Sequence, residues 1–77
     1  MDKNYIKFVI AYDYGWVFEQ MDLACGEAYA LADEIANRII AYKAMEGDAV
    51  YYDDLIIYCD NISFNEIWNE MKENKHG

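Results

Sequence analysis

The chain has 77 residues, 56% of them hydrophobic and 17% aromatic, with no proline and a net charge of −9. It is too apolar for a disordered chain and too short for more than one domain, here taken as 1–77 with a C-terminal tail that frays from about residue 73. Fifteen acidic residues against six basic ones argue against direct binding to a nucleic-acid backbone, which relies on Lys and Arg displacing counterions.

The first element is "YIKFVIAY", Tyr5 to Tyr12, rich in β-branched and aromatic residues. At period two, Ile6, Phe8, Ile10 and Tyr12 share one face of a strand, with Val9 and Ala11 on the other. "DYGW", Asp13 to Trp16, carries the turn signal, because Gly15 takes positive φ without strain. Beyond it, "WVFEQ" either returns as a second strand or leads directly into a helix.

A long helix follows. Ala24, Ala28, Leu31, Ile35, Ile39 and Tyr42 recur at three- and four-residue spacing. Asp22 reads as its N-cap, with Gly26 weakening the first turn, and Gly47 sits where a C-terminal glycine belongs. Glu34 and Arg38, four apart, pair on its outer face.

The segment "AVYYDDLIIYC", Ala49 to Cys59, reads as strand, with Asp53-Asp54 either a two-residue turn or part of a continuous run. The last element is the best marked. Ser63 and Glu66 form an S-x-x-E capping box, Ile62 and Ile67 a hydrophobic staple, and Phe64, Ile67, Trp68 and Met71 one apolar stripe. The expected fold class is α+β: a small antiparallel sheet of two to four strands packed by two helices, in the order β(β)αβ(β)α.

Chemistry is sparse along the chain. The single histidine, His76, stands at the C-terminal tail, where nothing holds it for proton transfer. Cys25 and Cys59 have neither metal-ligand spacing nor a histidine partner, and read as small hydrophobes in a reducing, cytoplasmic setting. There is no glycine-rich phosphate loop, no apolar run of membrane-span length and no signal-peptide pattern. The expectation is a non-enzyme with no cofactor and no bound metal.

The acidic residues carry the functional reading. Asp53, Asp54 and Asp60, with Glu46 and Asp48 just upstream, lie in a stretch with no basic residue between Lys43 and Lys72. Tyr51 or Tyr52 supplies an aromatic anchor, and Asp13 and Trp16 extend the surface. A basic protein is the natural complement of such a surface. The expected partner is a nucleic-acid-binding protein whose basic channel accepts carboxylates in place of phosphates. It would be inhibited or regulated by nucleic-acid mimicry. The alternative is a small assembly protein that homodimerises through tyrosine-rich strands, with its acidity serving solubility. Thirteen aromatic residues in so short a chain make a sticky surface and a dimer a fair expectation.

In size, acidity and aromatic content the whole chain is similar to small phage-encoded anti-defence proteins, the DNA mimics and anti-CRISPR inhibitors. That likeness implies action in the host cytoplasm against a defence protein. The order strand–helix–strand–strand–helix, with "YD" (Tyr12-Asp13) ending the first strand, also resembles a ferredoxin-like family of small CRISPR-associated proteins. That second likeness implies a sheet, with Asp13 as a Mg²⁺ ligand.

Overall fold

The computed structural model describes residues 2–46 and 50–74, with the side chains of 44–46 and 74 left undescribed. It is all-helical. Helix α1 spans Lys3–Gln20, α2 Cys25–Glu46, α3 Tyr52–Asp60 and α4 Phe64–Asn74, and there is no strand among the described residues. The α+β expectation is therefore overturned, and the ferredoxin-like resemblance loses its sheet. Both strand regions are helices.

The reason lies in the spacing. In α1 the buried residues are Ile6, Val9, Ile10, Tyr14 and Phe18, at steps of three and four that run through the supposed turn. A strand reading would pair Ile10 with Phe8 and Tyr12, yet Ile10 is fully buried while those two are exposed. Asp2 caps the helix, its Oδ1 accepting the Tyr5 N–H at 2.9 Å. Gly15 sits mid-helix and makes no turn. The same logic applies to α3, where Leu55 and Cys59, four apart, are buried and Ile57 between them is exposed. Asp53 and Asp54 lie in the first turn of that helix and form no hairpin. Acidic residues there complement the positive end of the helix dipole.

Asp22 does not cap α2. It closes α1 in the left-handed region, at φ 58°. The Asp22 N–H bonds the Glu19 carbonyl at 3.0 Å and the Leu23 N–H bonds the Phe18 carbonyl at 3.3 Å, a Schellman ending with aspartate in place of glycine. The α2 start is tied instead by Glu27, whose Oε1 accepts the Ala24 N–H at 2.8 Å. Gly47, the expected C-cap, lies outside the described residues.

α4 matches its sequence signals. The Glu66 N–H donates to Ser63 Oγ at 3.2 Å. Phe64 and Ile67 are buried, and Ile62, Trp68 and Met71 pack against the core. Helix α4 continues to Asn74, and the rest of the tail expected to fray lies outside the described residues.

α1 and α2, joined by four residues, pack side by side as an antiparallel hairpin that supplies most of the core: Ile6, Ile10, Leu31, Ile35 and Ile39 are almost completely buried. Leu55 from α3 completes this set. No polar or charged residue is buried in the described core, so burial of apolar area alone drives its closure.

Candidate functional site

Two surfaces stand out, one acidic and one aromatic. The acidic one runs along the seam between α1 and α3. Tyr52, Ile56 and Asp60 recur every fourth residue on α3 and face α1. The Tyr52 hydroxyl donates to Asp13 Oδ2 at 2.6 Å. From α1, the Tyr14 hydroxyl donates to Asp60 Oδ1 at 2.8 Å and lies 3.3 Å from the Ile56 carbonyl. Two neighbouring α1 residues thus reach α3 partners 39 and 46 positions away. Asp53 is exposed beside Tyr52.

The charges on this seam are held by hydroxyl groups rather than by cations. Lys3 and Lys7 both grip Asp33, at 3.0 and 3.2 Å. Arg38 joins Glu34 on α2 to Glu70 on α4, at 2.8 and 2.7 Å. Lys43 pairs with Asp54 at 3.5 Å. Lys72 lies over the Trp68 ring. No described cation pairs with Asp13, Asp53 or Asp60.

The structure brings together Asp13, Tyr52, Asp53 and Asp60, with Trp16 one turn beyond Asp13. Tyr51 is exposed at the N-terminus of α3, ahead of Tyr52. Asp54 is committed elsewhere. Besides pairing with Lys43, its Oδ2 accepts the Tyr51 N–H at 3.0 Å and so caps α3. Glu46 ends α2 with its side chain undescribed, and Asp48 lies outside the described residues. Sequence reasoning missed Tyr14, which organises the seam. Its signal was its place in the Ile6–Ile10–Tyr14–Phe18 run of i, i+4 positions.

Burial fixes the ionisation of the groups beneath the seam. Packing raises the Tyr14 phenol well above its usual range, and its bond to Asp60 adds to the shift. Burial pushes the Cys59 thiol up to about 12, with Asp60 and Asp13 contributing. Both groups titrate to an anion, and folding favours the protonated form of each. Their stabilisation is complete below the unfolded pKa values, near 9 for the thiol and 10 for the phenol. It is lost as pH rises toward the folded values. The melting temperature is therefore expected to fall from about pH 9 upward, with Tyr14→Phe flattening the part above about pH 10. Circular dichroism melts across that range measure it; a flat profile for the parent chain excludes this coupling.

The second surface is aromatic. Tyr5, Phe8, Tyr12 and Trp16 project from the outer side of α1, and the Phe8 and Tyr12 rings stack 6.1 Å apart. Beside them, between α1 and α2, runs an apolar groove of about 540 Å³ whose floor includes Ala11, Gly15, Ala28 and Ala32. Tyr29 stands on its far wall, under the Lys7 ammonium at 3.8 Å from the ring centre. The aromatic face was hidden from a strand reading, which split these residues between a sheet and a turn.

Neither surface holds a catalytic arrangement. No group of three or more His, Cys, Asp or Glu fit to hold a metal ion occurs among the described residues, and no described helix is long and apolar enough to cross a membrane. A smaller groove between α2 and α3 contains Lys43 and Asp54, which pair with each other. No family model, curated protein or solved structure matches the chain.

Proposed function

We propose that the protein is a non-enzymatic interaction module whose α1–α3 seam docks a basic protein, of the kind that handles nucleic acid, and blocks or regulates it. One observation carries this reading. Asp13, Asp53 and Asp60 stand without cationic partners next to exposed aromatic side chains, while the chain's own cations are engaged elsewhere. Tyr52 and Tyr14 hold two of these carboxylates in place through neutral donors, leaving their negative charge available to an incoming guanidinium. Tyr51 and Trp16 flank them as amphipathic anchors, the residue types that dominate interface energetics.

The contact set is narrower than the run of acidic residues implies. Asp54 is excluded from it by its cap and its lysine. Charge steers the encounter and fixes register, so affinity weakens from low to physiological salt, where screening acts over ~8 Å.

The test is capture of basic proteins from a lysate on the immobilised chain at low salt. Each captured protein is then titrated against the parent chain and the triple variant Asp13→Asn, Asp53→Asn, Asp60→Asn. Loss of about tenfold or more in affinity is expected. Equal binding by the triple variant, or an affinity indifferent to salt, overturns the reading.

A further inference from the structure

We infer that the aromatic face of α1, with the groove beside it, is the interface of a homodimer, and that its occupant is the same face of a second copy. The inference is independent of the acidic seam and extends the reading above.

An α-helix that is apolar all round belongs in an interior. The α1 helix is apolar all round, yet only one side of it is covered. Ile6, Ile10, Tyr14 and Phe18 face the core, while Phe8 is 64% exposed, Tyr12 78% and Trp16 59%, with Tyr29 of α2 at 65%. Scattered exposed apolar residues need no explanation, but a contiguous set of aromatic rings does.

Area decides whether a second copy suffices. Aromatic side chains offer about 150–250 Å² each, so these four with half-exposed Tyr5 leave on the order of 600 Å² per chain. Two chains then bury on the order of 1,200 Å² from the rings alone, the lower bound for a specific interface, before the groove walls are added.

Charge selects the occupant. From Asn4 to Trp16 the outer arc of α1 is Asn4, Tyr5, Phe8, Ala11, Tyr12, Gly15 and Trp16, with no charged residue among them. A basic partner finds no carboxylate there to pair with. For a chain of net charge −9, this uncharged strip is where two copies approach with least repulsion.

Gly15 gives an independent sign. A glycine inside a helix is unfavourable relative to alanine. Nothing in this chain lies within 4 Å of where a Gly15 Cβ would stand, so packing within one copy does not require the glycine. With Ala11 it forms a small-residue floor that lets a second α1 come close, with a Tyr12 or Phe8 ring of each copy seated in the other's groove. Such an arrangement is self-complementary, as two-fold symmetry demands.

Sedimentation equilibrium of the full chain tests it, with circular dichroism to confirm folding. A mass of twice 9.1 kDa is expected at high-micromolar concentration. Tyr12→Glu, at a fully solvated ring, and Gly15→Leu, which fills the groove floor, are each expected to give helical monomers with dissociation constants raised at least a hundredfold. Asn65→Glu adds the same charge on α4 and should leave the dimer intact. In a Trp68→Phe background, Trp16 emission should shift to the blue as concentration rises. A parent chain that stays at 9.1 kDa overturns the inference, and so does a dimer unaffected by both Tyr12→Glu and Gly15→Leu. A monomer whose Trp16 emission shifts only on adding lipid vesicles or a basic protein also overturns it, by assigning the face to that occupant. Because the seam substitutions are scored by partner affinity and these by mass, failure of one reading leaves the other standing.

Discussion

Ile10→Ala is expected to lower the free energy of unfolding by about 2–5 kcal/mol, whereas Tyr12→Ala, measured in dilute protein, should change it by less than about 0.5 kcal/mol. The contrast separates the two ways of folding the first segment. On a strand, Ile10 and Tyr12 lie on one face and are buried or exposed together. On α1 they diverge by about 200°, and Ile10 is completely buried while Tyr12 is the most exposed of the large side chains. Truncating Ile10 removes three carbons from the interface between α1 and α2, leaving a void in the best-packed part of the molecule. Truncating Tyr12 leaves the monomer core untouched. Urea titrations of both variants by circular dichroism measure the difference. Equal destabilisation by the two would contradict the helical assignment of α1.

The part of the fold that was legible in the sequence is the part where one periodicity dominates. α4 has apolar residues on one side and polar ones on the other, with Ser63 and Glu66 marking its start, and its helical reading stands. The α2 repeat from Ala28 to Ile39 was equally clear, although its cap was misassigned because Asp22 serves the helix before it. α1 defeats a periodicity argument for a physical reason. Its inward set, Ile6–Ile10–Tyr14–Phe18, and its outward set, Tyr5–Phe8–Tyr12–Trp16, are both apolar, so no polar face marks the 3.6-residue period. β-Branched and aromatic residues then tilt the reading to strand. That preference reflects fit to a pleated, half-buried surface, and tertiary packing overrides it. α3 is short enough that Leu55, Ile57 and Cys59 fit period two as well as Leu55 and Cys59 fit period four.

The acidic surface was legible as composition and only partly as geometry. That Asp53 is free while Asp54 is bound to Lys43 follows from one step of 100° around a helix, which a strand reading cannot supply. The meeting of Asp13 with Tyr52, and of Tyr14 with Asp60, depends on how two helices pack, and no local pattern encodes it.

Phe64→Ala is the second large effect, with an expected cost of about 3–5 kcal/mol. Phe64 is the first residue of α4 and is buried against α1, its ring centre 5.5 Å from that of Tyr14 and 5.7 Å from that of Phe18. Tilted aromatic pairs of this kind add about 0.5–1.5 kcal/mol each beyond the area they bury. The placement of Tyr14 gives the substitution a second consequence. One side of that residue packs on Phe64 of α4, and its hydroxyl binds Asp60 and approaches the α3 backbone, so α4 supports the acidic seam through a single ring. Phe64→Ala and Tyr14→Phe are therefore not independent. With the aromatic support gone, the hydroxyl holds Asp60 less firmly, and removing it costs less. Tyr14→Phe alone forfeits a hydrogen bond to a carboxylate, about 1.5–3 kcal/mol, and in the Phe64→Ala background this should shrink by about 1 kcal/mol. A double-mutant cycle measured by denaturant titration checks the coupling. Additivity within about 0.3 kcal/mol would show that α4 and the seam are energetically separate, so that α3 is held to α1 by its apolar contacts alone.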